Sequence, residues 1–210
     1  MPELKIDTAQ FGWVVSAYAF SAFASGLLAA GFADKFDRKK LLLFFYAGFI
    51  GGTLLCGIAD TYSFLLFARV VTGLFGGVIA SIVMSIVTDM FQLQVRGRVM
   101  GLIQMAFAAS QVLGIPAGLF LAGRWNWHFP FIMIVVISAL LFAVLAFYLK
   151  PIDEHLKIKT DKNAFMHLLH VVSRTRYLKA FAATTLLATG GYMLMPFGSD
   201  YAVHNLGLDE

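Results

Sequence analysis

Apolar runs long enough to cross a bilayer alternate along this chain with short charged stretches. No residue from Thr8 to Ala33 carries a formal charge, and none does from Leu41 to Ala59. The pattern predicts six spans, near Gln10–Phe32, Leu41–Ala59, Tyr62–Thr88, Val99–Gly123, Phe129–Leu149 and Ala180–Ser199. Each supplies about the 20 residues that a helix needs to cross roughly 30 Å of hydrocarbon. Barrel strands would be about ten residues long and alternate in polarity, which these do not. Lipid offers the backbone no hydrogen-bond partners, so every span is expected to be a helix. The expected fold class is all-α, a multipass transmembrane helical bundle.

Composition agrees, with 60% hydrophobic residues, 13% charged and a mean hydropathy of +0.79. A water-soluble core cannot hide that much apolar surface. The net charge of +4 could suggest nucleic acid, but the distribution of basic residues points to membrane topology instead. Lys35, Arg38, Lys39 and Lys40 lie in one connection, Arg96 and Arg98 in a second, and seven more between Lys150 and Lys179. The alternate connections hold only Lys5 and Arg124. By the bias of basic loops toward the cytoplasm, the three rich connections are expected inside. Cys56 is the only cysteine, which excludes an internal disulfide or a paired-cysteine metal site. The first apolar run is too long, and lacks the basic flank, for a signal peptide. No cofactor is expected, and no catalytic or metal-ligand arrangement is visible; a phosphate-binding loop is also missing, so any driving energy is expected from an ion gradient or from the substrate's own.

The connection Gly31-Phe-Ala-Asp34-Lys35-Phe-Asp37-Arg38-Lys39-Lys40 makes two spans antiparallel neighbours. Gly31 lets the helix ends approach closely, Asp34 suits a helix N-terminus, and Asp37 falls at the chain reversal, a place that usually needs positive φ. This stretch resembles the loop 2–3 signature of the major facilitator superfamily, with Asp37 in place of the usual glycine. Arg69-x-x-x-Gly73-x-x-x-Gly77 resembles the family's helix-4 motif, which implies a place for these residues in the proton or substrate pathway, the arginine being associated there with proton transfer or substrate binding. Gly101, Ser110, Gly114, Pro116 and Gly118 resemble the helix-5 motif of its drug/proton antiporter group, similar to arabinose-efflux permeases. In that group the spacing is tighter: here Ile115 separates Gly114 from Pro116, and Ser110 replaces a glycine.

The residues also suggest roles of their own. Arg69 is the one charge inside a span, roughly 10 Å from its outer boundary, and such a residue faces a cavity, pairs with a partner or snorkels to the interface. Gly73 and Gly77 share its helical face and permit close packing. Ala106, Ser110, Gly114 and Gly118 form a smooth stripe, either a sliding surface or tight packing, and Pro116 is expected to bend the rod. Depth arithmetic brings Tyr18, Gln104, Gln111 and Tyr192 toward a central cavity with Arg69. Gly190, Gly191 and Pro196 interrupt the last span. Asp89, Arg96 and Arg98 are expected to join Asp34 in a charge cluster at the cytoplasmic end, with independent solvated loops as the alternative. Phe165, Leu168, Leu169 and Val172 fit a short interfacial helix, and a plain polar linker fits equally; His155, His167 and His170 there read as solvated.

The two chain ends share a pattern: Leu4, Ile6 and Asp7 match Leu206, Leu208 and Asp209 in spacing. Six spans between similar helix starts fit one period of a duplicated carrier. What the resemblance implies is a chain running from helix 2 through helix 7 of twelve. Residues 1–149 would form the N-terminal half without its first helix, 150–179 the cytoplasmic link, and 180–210 the first helix of the second half. The implied function is proton-coupled alternating access for a small molecule in a cell membrane, the bacterial inner membrane, with efflux as the direction. Its partners would be the small-molecule substrate, the proton, the lipid bilayer and the remainder of the transporter. Sugar or metabolite uptake, and a fragment without transport of its own, are the competing readings.

Overall fold

A computed structural model describes residues 7–29, 32–153, 156, 173–175 and 177–190. The chain divides into two compact units, Met1–Thr160 and Asp161–Glu210; the division falls inside the expected 150–179 connection. The first unit holds five helices: α1 (Thr8–Ala29), α2 (Arg38–Gly57), α3 (Tyr62–Met90), α4 (Leu93–Arg124) and α5 (Phe129–Tyr148). All five are long and apolar enough to cross a membrane. In the second unit residues 177–190 are helical. Gly31, Gly191, Tyr192 and Pro196 lie outside the described residues, as do His155, His167, His170 and the stretch proposed for an interfacial helix.

Helix starts follow local chemistry. At α1 the Asp7 and Gln10 side chains exchange bonds with each other's backbone N–H, Gln10 N to Asp7 Oδ1 at 2.6 Å and Asp7 N to Gln10 Oε1 at 3.1 Å. This reciprocal box satisfies two of the donors that every helix start leaves open. Thr61 Oγ1 accepts from Phe64 N at the start of α3. Asp37 caps α2, its Oδ1 accepting from Lys40 N at 3.0 Å. Its φ of −54° and ψ of 127° correct the expectation of a left-handed turn residue there. A single 3-10 turn, Ala33–Lys35, and the extended Phe36 reverse the chain, so position 37 is free to serve as a cap.

The bundle is built around α3. Helix α1 lies along one side of it and α2 along another, α5 packs on α2, and α4 makes only slight contact with α3 and α5. One apolar cluster, with Ala29, Leu41, Phe45, Val78 and Ile82, sits toward the signature loop. A second, with Val14, Cys56, Leu65, Ala68 and Trp127, sits toward the other end. There His128 Nε2 lies 3.0 Å from the Ala59 carbonyl, tying the start of α5 to the end of α2. Lipid tails are as apolar as these side chains, so close packing rather than water exclusion holds such helices together. Glycine is required where α3 meets α1. A Cβ on Gly73 would fall 2.5 Å from the Tyr18 carbonyl oxygen, and one on Gly77 would fall 2.5 Å from Ala22 Cα and O.

Helix α4 departs from expectation in two ways. It begins at Leu93, six residues before the apolar run at Val99, so Arg96 and Arg98 sit in its first turns rather than in a loop. It also buries no residue, and a Cβ on Gly101, Gly114 or Gly118 would meet nothing within 4 Å. The small-residue stripe therefore faces no described neighbour. Pro116 lies inside a helix that stays continuous from Leu93 to Arg124.

Candidate functional site

Two groups of polar side chains stand out, one at an end of the bundle and one inside it. At the signature-loop end, the Arg38 guanidinium spans two elements. Its Nη2 donates to Asp34 Oδ1 at 2.8 Å, its Nε to Asp89 Oδ2 at 3.0 Å, and its Nη1 to the Ala33 carbonyl at 3.1 Å. The Arg38 side chain is 6% exposed, that of Asp89 23% and that of Asp34 73%. The Arg38–Asp89 bond, not the solvated one to Asp34, is thus the shielded link between the loop and the end of α3. Lys39 Nζ donates to the Ala146 carbonyl near the end of α5 at 2.9 Å, where a helix favours a cation. Asp37 Oδ2 accepts from Ile152 N at 3.1 Å, and Arg38 N donates to the Ile152 carbonyl at 3.1 Å. The signature loop therefore holds the end of α3, the end of α5 and the chain beyond it.

The expected arginine cluster is smaller than its residue list. Arg96 donates to the Phe91 carbonyl at 2.8 Å and the Thr88 carbonyl at 2.7 Å, closing the end of α3. Arg98 is exposed, as are Lys35 and Lys40. Of the three residues expected to join the loop in a charge cluster, Asp89 is the one seen paired with it.

Inside the bundle a cavity of about 180 Å³ is lined from four helices. Tyr18 of α1, Thr53 and Cys56 of α2, and Arg69 and Thr72 of α3 supply its polar groups. Phe49, Phe131 and Ile134 supply its apolar wall. The Arg69 guanidinium carbon lies 4.8 Å from the centre of the Tyr18 ring, a cation–π geometry. Its Nε donates to the Val14 carbonyl at 3.3 Å. Thr72 and Thr53 donate to the carbonyls of Ala68 and Phe49, both at 2.7 Å, and Cys56 Sγ lies 3.7 Å from Thr72 Oγ1. Gly73 and Gly77 set the distance, since any side chain there would push α1, and Tyr18 with it, away from α3.

Of the expected cavity residues, Tyr18 and Arg69 meet; Gln104 and Gln111 do not line this cavity. Gln104 is exposed on α4, and Ser110 there donates to the Phe107 carbonyl at 2.7 Å. Thr53, Cys56 and Thr72 were absent from the sequence-based set. A signal for them existed: Thr53-x-x-Cys56 and Arg69-x-x-Thr72 place polar pairs at i, i+3 on one face of otherwise apolar helices. Among the described residues no group of three His, Cys, Asp or Glu could hold a metal ion.

The profile of the Major Facilitator Superfamily matches residues 1–209. This chain belongs to that superfamily. Its relatives include Multidrug resistance protein 3 of Bacillus subtilis (strain 168), 33% identical over 72% of this chain and 30% of the relative. Efflux pump dotC of Dothistroma septosporum is 31% identical over 93% of this chain and 31% of the relative. Vacuolar membrane amino acid uptake transporter fnx2 of Schizosaccharomyces pombe is 34% identical over 72% and 26%. The chain thus spans about a third or less of the length of these curated relatives. The family and the relatives' names point to a transporter rather than an enzyme, and five apolar helices make this a multipass membrane protein of the superfamily.

Proposed function

We propose that the chain forms part of a secondary carrier that moves a small molecule outward across a membrane by proton-coupled alternating access. The observation that carries this reading is Arg69. A guanidinium inside a membrane span costs several kcal/mol, and bundles keep one where it faces a solute, an ion or a partner. Here it lines a cavity and rests on an aromatic ring, with no carboxylate paired to it among the described residues. The outward direction is supported by the efflux and multidrug-resistance names of two relatives. The Arg38–Asp89 link is the inside gate, formed in one state of the cycle and broken in the other. The basic end then lies in the cytoplasm, by the same bias of Lys and Arg that orients other multipass proteins, and the membrane is the bacterial inner membrane. Further helices of the carrier cover α4, whose glycines meet no neighbour. The link from residue 150 onward then joins the two halves.

A second reading, uptake of a metabolite, is favoured by the amino-acid uptake relative. Everted membrane vesicles containing the full-length carrier of which this chain forms part separate the two. With a pH gradient imposed, a cationic dye, a neutral drug and an amino acid are added in turn, and collapse of the gradient is followed by a fluorescent amine. Solute-dependent proton movement is expected in the wild type and is lost in Arg69→Ala at equal expression. Collapse of the gradient by the amino acid means its export in exchange for protons, whereas deepening of the gradient as the amino acid enters together with protons favours uptake. Solute flux that ignores the pH gradient refutes proton coupling.

A further inference from the structure

We propose that the Arg69 cavity binds a small organic monoanion, its carboxylate on the guanidinium and its apolar body against Phe49 and Phe131. The reasoning starts from what the cavity offers. The protons of Thr53 and Thr72 are spent on helix carbonyls. The Arg69 Nε proton is spent on Val14. That leaves the two terminal amino groups of Arg69 and the Tyr18 hydroxyl with no protein acceptor among the described residues, so the cavity presents donors. Its one formal charge is positive.

The ligand's charge follows. A cation would be repelled by the Arg69 guanidinium, which has no carboxylate paired to it among the described residues. A neutral ligand would leave that charge with no carboxylate paired to it among the described residues. A carboxylate neutralises it and accepts two parallel N–H bonds, the strongest geometry that guanidinium offers. Size follows from volume. A space of about 180 Å³, many times what a single water requires, has room for a carboxylate on a single ring or a short chain. The aromatic and aliphatic wall suits such a body and not a polyhydroxylated one.

This inference deepens the transport reading and rests on it for its biological meaning, but its test reads binding alone. Cys56 lines the cavity, is fully buried and is the only cysteine in the chain. Because the thiol is fully buried, its alkylation by N-ethylmaleimide requires the cavity to open, and a ligand that holds the helices around the cavity together slows it. The purified 210-residue protein in lipid nanodiscs is labelled in the presence of benzoate, benzamide or benzylamine, which share a ring and differ in charge. Benzoate is expected to slow labelling about tenfold or more, the other two less than twofold, and Arg69→Gln to abolish benzoate protection. Tyr18→Phe, which keeps the ring and loses the hydroxyl, is expected to weaken protection severalfold. Calorimetric titration of the wild type gives a second reading that needs neither a variant nor the thiol, with heat expected from benzoate and none from benzamide. Equal protection by benzoate and benzamide, protection that survives Arg69→Gln, or no benzoate heat overturns the proposal. Benzoate binding without any solute-driven proton movement in vesicles would leave this site standing and remove the transport reading.

Discussion

Replacing Gly77 with alanine tests whether the close approach of α1 to α3 is what builds the cavity. The added Cβ would lie 2.5 Å from Ala22 Cα and O and 2.7 Å from Ala22 Cβ. Two of those three atoms are backbone, so no rotamer change relieves the clash. The helices must separate by roughly 1 Å to restore ordinary contact. Overpacking that moves backbone costs about 1–3 kcal/mol. Alanine also has a better helix propensity than glycine, by about 1 kcal/mol, which works in the opposite direction. Gly51→Ala removes that ambiguity. Gly51 lies in a helix too, is exposed, and a Cβ there meets nothing within 4 Å. The propensity gain is common to both variants, so their difference reports the steric cost alone, about 1–3 kcal/mol. The assay is unfolding in mixed micelles by increasing SDS, followed by helical circular dichroism. Because a separation at Gly77 also relieves the contact of Gly73 with Tyr18, a Gly73→Ala/Gly77→Ala double variant should cost less than the sum of the singles. Equal stability of Gly77→Ala and Gly51→Ala, within about 0.5 kcal/mol, would refute close packing as the reason for these glycines.

The charged end supplies two more tests. Asp89→Asn is expected to destabilise by about 1–3 kcal/mol, because it strips a shielded partner from a nearly buried guanidinium, whereas Asp34→Asn should cost under about 1 kcal/mol, its carboxylate being mostly solvated; SDS unfolding ranks the two, and the reverse order would contradict the assignment. Asp37→Ala removes the cap on Lys40 N and the bond to Ile152 N together. Hydrogen exchange at residues 38–41 and 152 should then quicken while the middle of α3 stays unchanged, and equal exchange in the two proteins would show that Asp37 holds neither.

Much of the bundle was legible because a membrane imposes one length and one composition on every span. The starts of α3 and α5 fall where apolarity resumes, at Tyr62 and Phe129. The start of α4 was misread because apolarity marks the hydrocarbon, while helical hydrogen bonding continues through polar residues such as Gln94, Arg96 and Arg98. Asp37 was misread for a related reason. One residue type serves both for left-handed turns and for helix caps, and only the preceding 3-10 turn decides which is needed. At the inner site, the pairing of Tyr18 with Arg69 followed from depth along each helix. Depth does not give azimuth, so Gln104 and Gln111 were placed beside them when their helix lies apart from that cavity. Thr53 and Cys56 reach the cavity because Gly52 lets α2 sit close on α3, a Cβ there falling 2.8 Å from Thr72 N.

The most direct test is to find which end of the bundle meets which side of the membrane. In a Cys56→Ser background, single cysteines replace Lys35 in the signature loop and Asp60 between α2 and α3, both exposed positions. Intact cells are treated with a maleimide that cannot cross the membrane, before and after permeabilisation. Asp60→Cys should label in intact cells and Lys35→Cys only after permeabilisation, with the protein staying in the membrane through an alkaline wash. Labelling of Lys35→Cys from outside, or release of the protein by that wash, would contradict a bundle that spans the bilayer with its basic end inside.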